Sequence, residues 1–78
     1  MKNRIELKVD SLNRVLEIDP DSGLTITVEW AYGRPRLYTK DGSVEMSARL
    51  SHLEMELYLE GILVGIGLAE SANKRQDK

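Results

Sequence analysis

The side chains best suited to chemistry fall in one stretch, Trp30-Ala31-Tyr32-Gly33-Arg34-Pro35-Arg36-Leu37-Tyr38-Thr39-Lys40. It holds the only tryptophan, all but one of the tyrosines and three basic residues. Aromatic rings stack on nucleobases and guanidinium groups clamp phosphates, so interleaving the two suits a nucleotide or a single-stranded nucleic acid. Tyrosine and arginine are also the residues that most often dominate protein–protein contacts. Tyr32, Arg34, Arg36 and Tyr38 are therefore the candidate partner-binding residues. A purely structural reading stands beside this one: Trp30 in the core, Tyr38 covering the sheet, and the arginines paired with nearby carboxylates.

Other constellations lack the parts that catalysis requires. Nucleophilic catalysis needs a serine or cysteine beside a base that a third group orients, and the single histidine, His52, falls in the first turn of a predicted helix. Glu56 and Glu60 stand four residues apart on a helix edge. Asp19 and Asp21 flank a proline in a turn, where aspartate is recruited to bond the backbone. Gly61, Gly65 and Gly67 lie in an apolar run without the Lys-Ser/Thr that completes a phosphate-binding loop. With no cysteine and one histidine, a zinc site of the usual ligands is excluded. The expectation is a non-enzyme with no cofactor and no metal.

Composition narrows the class further. A chain of 78 residues makes one domain at most and sits near the lower limit of self-sufficient cores. Small domains compensate with disulfides, a metal or oligomerisation, and here oligomerisation is what remains. The formal charge is −2, and setting aside Asn73–Lys78, with three bases and one acid, leaves a body at −4. That balance argues against a general duplex-DNA binder, whose affinity comes from neutralising phosphates. Lys2, Arg4, Glu6 and Lys8 interleave without an apolar core, so no signal peptide is expected. The apolar run Ile62–Ala69 is too short to span a bilayer. A cytoplasmic protein with no membrane association follows as the expectation.

The elements that must position the candidate residues are read from periodicity. Ile5, Leu7 and Val9 alternate with Glu6, Lys8 and Asp10, which predicts a half-buried strand over residues 4–10, followed by a second over 14–19. Asp19-Pro20-Asp21-Ser22-Gly23 carries turn chemistry. Leu24, Ile26, Val28 and Trp30 alternate with Thr25, Thr27 and Glu29, the strongest strand pattern in the chain, with the apolar set inward. Ala31–Pro35 is a reversal. Asp41-Gly42 between Arg36–Lys40 and Ser43–Ser47 matches a two-residue type I′ hairpin turn, pairing Thr39 with Val44 and Leu37 with Met46.

Ser51 and Glu54 have capping-box spacing, with Leu50 and Met55 placed as a hydrophobic staple, so a helix is predicted from Ser51 to about Ala72. Glu54, Glu56 and Glu60 early and Lys74 and Arg75 late favour one continuous helix dipole through the glycines. That helix carries two apolar stripes: Leu53, Leu57, Val64 and Leu68, and nearly opposite them Met55, Leu59, Ile62, Ile66 and Ala69. The second stripe has the 4-3-4 spacing of a helix-pair seam, so Met55, Leu59, Ile62 and Ile66 are the expected dimer interface. The fold class is α+β: an antiparallel meander of four to five short strands, then one long C-terminal helix on one sheet face. The domain covers residues 1–72, with a polar, frayed tail at 73–78.

The function that follows is a non-enzymatic, homodimeric protein-binding module, an inhibitor or adaptor that occludes or bridges a larger protein or ribonucleoprotein. The alternative is a nucleotide or single-stranded nucleic-acid binder using Trp30–Lys40. Size, acidity, missing catalytic groups and sheet-then-helix order resemble the accessory proteins of bacteriophages and mobile elements, anti-CRISPR-type inhibitors among them. The resemblance is of style and rests on no shared motif.

Overall fold

Asn3 and Glu6 open the first element. In the computed structural model, which describes residues 2–76, the Glu6 N–H donates to Asn3 Oδ1 at 2.9 Å. The Asn3 N–H donates back to Glu6 Oε1 at 3.3 Å. This reciprocal box caps α1, a helix over Arg4–Val15, and satisfies two of its orphan donors. Ile5, Val9 and Leu12 recur at helical spacing and are buried, whereas Leu7 is half-exposed. The two N-terminal strands expected over 4–10 and 14–19 are thus replaced by one helix. The alternation of Ile5, Leu7 and Val9 is genuine, but the i, i+4, i+7 set is the one that meets the core.

The second expected strand, over 14–19, is instead the helix terminus. Glu17 takes a positive φ of 55°, its N–H donates to Arg14 O, and the Ile18 N–H donates to Asn13 O. That is a Schellman ending with glutamate in the place where glycine is usual, and Ile18 as its hydrophobic contact. Ile18 packs on the core.

The sheet has two strands, β1 (Ile26–Ala31) and β2 (Arg34–Thr39). They pair antiparallel from Ile26 with Thr39 to Ala31 with Arg34. Ile26, Val28 and Trp30 share the inner face with Pro35, Leu37 and Thr39, so the inward set expected for β1 is the one observed from Ile26 onward. Leu24 precedes the strand and is exposed. The type I′ turn sits elsewhere than predicted. Tyr32 and Gly33 connect the strands with φ of 54° and 72°, the two positive values that such a turn requires. At Asp41-Gly42 only Gly42 has positive φ, 77°. There Asp41 Oδ1 accepts from the Ser43 N–H and from the Ser43 and Thr39 hydroxyls, so side-chain bonds shape the reversal.

Residues 43–50 follow β2 without becoming a strand. The Thr39 N–H donates to Val44 O and the Met46 N–H to Leu37 O, the expected register. A single bridge, Tyr38 with Glu45, forms. The ladder ends because the Leu37 N–H turns to the Ser47 hydroxyl at 3.0 Å. Where four or five strands were expected, two form among the described residues, with this segment shielding the outer edge of β2.

Ser51 and Glu54 form the predicted capping box and open α2, which runs over His52–Gln76 without a break at the glycines. The helix enters the polar stretch at residue 73; residues 77 and 78 lie outside the described chain. Arg4 meets Glu56 at 3.9 Å and Lys8 meets Glu60 at 2.6 Å, so the two helices advance in the same sense beneath the hairpin. The stripe expected to be a dimer seam belongs to the chain's own core. Met55 and Leu59 are fully buried against Ile5, Val9, Leu12, Ile26 and Leu37, with Ile62 and Ile66 packed on the same cluster. The missed helix α1 supplies the cover that a meander would have lacked.

One contact joins helix to sheet through polar groups. Asn13 Nδ2 donates to Ile26 O and the Ile26 N–H donates to Asn13 Oδ1, both at 2.9 Å. The side-chain amide thereby does for β1 at Ile26 what a third strand would do. Asn13→Ala should lower unfolding free energy by about 1–3 kcal/mol, the cost of stranding a partly buried donor and acceptor. Asn13→Asp should also destabilise, since a carboxylate cannot donate to the Ile26 carbonyl. Denaturant unfolding checks both, and unchanged midpoints would contradict this role.

Candidate recognition surface

The outer face of the hairpin collects the four candidate residues. Arg34, Arg36 and Tyr38 alternate along β2 and point away from the core, opposite Ala31, Glu29 and Thr27 of β1. Tyr32 stands at the tip and is 97% exposed. Strand periodicity brings the first three to one face, and the two-residue turn adds the fourth.

Their electrostatic states differ. Arg36 Nη2 lies 2.6 Å from Glu29 Oε2, and its Nη1 lies 3.1 Å from Glu45 Oε1. Arg49 reaches from the segment before α2 to the other Glu29 oxygen, and its Nη1 donates to the Arg34 carbonyl. Arg36 also sits over the Tyr38 ring at 5.2 Å, a cation–π distance. This guanidinium is therefore engaged on both terminal nitrogens and on one face, and its buried Nε has no partner among the described residues. Arg34 is exposed. The structural reading that pairs the arginines with nearby carboxylates holds for Arg36, with Glu29 and Glu45 as the partners; Arg49 was not part of it. The cross-strand pairing of Glu29 with Arg36 was the available signal.

Trp30 lies on the inner face with its ring centroid 5.1 Å from that of His52. The hairpin therefore separates Trp30 from Tyr32 and Tyr38, and the aromatic stretch does not form one stacking platform. His52 is exposed on its other side. Among the described residues, no group of three His, Asp or Glu side chains could hold a metal ion. Nor is any helix long and apolar enough to cross a membrane.

The Tyr32 backbone carries the local strain. A non-glycine residue with φ of 54° crowds its Cβ against the following carbonyl, at a cost of roughly 1–2 kcal/mol. Asparagine or glycine is the usual first residue of such a turn. A bulky, unburied aromatic held there gains nothing from the fold, and such outliers cluster at sites of recognition.

No protein-family model matches this chain, and neither a curated protein nor a solved structure is similar to it.

Acid should loosen the ionic lattice. Hydrogen bonds from Arg36 first and Arg49 second hold the Glu29 carboxyl below the usual glutamate range. Bonds from Ser43 lower Asp41, and the Ser51 N–H lowers Glu54. A carboxyl whose folded pKa is depressed contributes stability above its unfolded value and loses it as pH falls through the folded value. Unfolding free energy should therefore be level near neutrality and decline below about pH 4. Glu29→Gln should show a shallower decline. An identical acid slope in wild type and variant, by denaturant unfolding at several pH values, would contradict the assignment.

Proposed function

We propose that this chain is a non-catalytic protein-binding module, of the inhibitor or adaptor kind, which presents its hairpin tip and outer sheet face to a larger protein. The observation that carries the reading is Tyr32, almost wholly exposed in a strained backbone conformation as the first residue of the two-residue turn. Tyrosine brings large contact area at low side-chain entropy cost. Arg34 beside it adds an exposed planar donor, and the lattice of Glu29, Arg36, Arg49 and Glu45 stiffens the face behind both.

The alternative, a nucleotide or single-stranded nucleic-acid binder, draws less support. Phosphate binding requires uncommitted cations, and Arg36 is already shared between two carboxylates. Stacking requires rings on one face, and Trp30 faces inward.

A single substitution separates stability from recognition. Tyr32→Asn places the preferred residue at the first turn position and should stabilise the fold by roughly 1 kcal/mol. The same change should weaken capture of the protein partner by about 30-fold, the loss typical of a hot-spot side chain. The checks are denaturant unfolding, and affinity capture from lysate with wild type and variant side by side, read by quantitative mass spectrometry. A variant that retains the same captured protein at the same level would overturn the reading. Tight binding of short oligonucleotides that collapses as salt rises would replace it with the nucleic-acid alternative.

A further inference from the structure

The second stripe of α2 is left open once the first is buried. Leu53, Leu57, Val64 and Leu68 are exposed by 65, 63, 52 and 67%. Along Leu57, Gly61, Val64 and Leu68 the spacing is 4-3-4, that of a helix-pair seam. A Cβ at Gly61, Gly65 or Gly67 would meet nothing within 4 Å, so no neighbour among the described residues explains the missing side chains. Each glycine costs about 1 kcal/mol in a helix interior. The last turns, from Gly67 to Lys74, are exposed throughout, and so short a segment is marginal in water without packing.

We propose that α2 pairs antiparallel with α2 of a second copy of this chain, the Leu53–Leu68 stripe forming the seam and Val64 of each copy seating over Gly61 of the other. The same register sets Leu57 against Leu68, large on large, and Leu53 against the small Ala72. A parallel pair would set Gly61 against Gly61, leaving a void, and would stack Glu54, Glu56 and Glu60 on their own copies. The antiparallel pair instead carries Lys74 to the first turn of the other helix, near Glu54, and opposes the two helix dipoles. Glu60, at the edge of the stripe, is turned toward Lys8 of α1, which keeps its carboxylate off the seam.

The area suits a modest dimer. Leu53 to Ala72 spans about 30 Å of helix, and a seam of that length buries on the order of 1,000 Å² in total, the low end of specific interfaces. A dissociation constant in the micromolar range is expected. This seam lies on α2 and leaves the Tyr32 tip free, so it stands or falls independently of the recognition surface.

The test is sedimentation velocity on the full chain from about 1 to 500 µM, bracketing that range. Wild type should shift from monomer to dimer. Val64→Glu, which alters a side chain exposed in the monomer, should match the helical circular dichroism of wild type at concentrations where wild type is monomeric. It should itself remain monomeric throughout, a loss of at least about a hundredfold. Because the chain has no cysteine, mixing Leu57→Cys with Leu68→Cys chains under mild oxidation should give the mixed disulfide in preference to either self-pair. A wild type that stays monomeric at the highest concentration would overturn the proposal. So would a dimeric Val64→Glu, loss of helix in that variant where wild type is monomeric, or preferential self-pairing of Leu57→Cys.

Discussion

A two-stranded sheet cannot hold itself together in water, and the whole molecule depends on how this one is backed. The backing is one turn of α2. Met55 and Leu59 are fully buried between α1 and the inner face of the hairpin, where Leu12 and Leu37 are also sealed from solvent. Each such side chain stabilises the fold by roughly 1.5–3 kcal/mol. With no cysteine to form a disulfide in so short a chain, these contacts carry the fold. Asn13 completes the arrangement by bonding the backbone of Ile26 where apolar packing cannot satisfy it.

That use of α2 determines what is left for function. A helix presents one face to the core, so committing Met55 and Leu59 inward commits Leu57 and Val64 outward. The hairpin divides the same way. Its apolar residues are consumed in backing, and its outer face is left with charges locked around Glu29 and with a strained tyrosine at the tip. One packing decision thus leaves two surfaces open: an apolar stripe on the helix, which we propose as a dimer seam, and a polar, aromatic tip at the far end of the sheet, which we propose for recognition. Neither requires the other to move.

Much of this was legible in the residues. Ser51 with Glu54 announced α2, early acids and late bases announced its continuity, and the alternation from Ile26 to Trp30 assigned the faces of β1. The first helix was obscured because Ile5, Leu7 and Val9 satisfy a period of two as well as Ile5, Val9 and Leu12 satisfy one of 3.6. Asn3 with Glu6 was the arbiter, a capping box of the same logic as Ser51 with Glu54. Tyr32-Gly33 escaped as a type I′ turn because tyrosine is a poor first residue there. The choice between the two apolar stripes of α2 could not be read from spacing alone, since it depended on whether a second helix existed to cover one of them.

Amide hydrogen exchange along α2, measured at two protein concentrations on either side of dimer dissociation, tests most directly which stripe belongs to the chain's own core. Amides from Met55 to Leu63 should exchange only through global unfolding at both concentrations, because their packing is within one chain. Those from Gly67 onward should gain protection only at the higher concentration, when a second helix lies alongside. Loss of protection at Met55 to Leu63 on dilution would contradict the account, since it would mean that this turn is held by a partner and not by α1 and the hairpin.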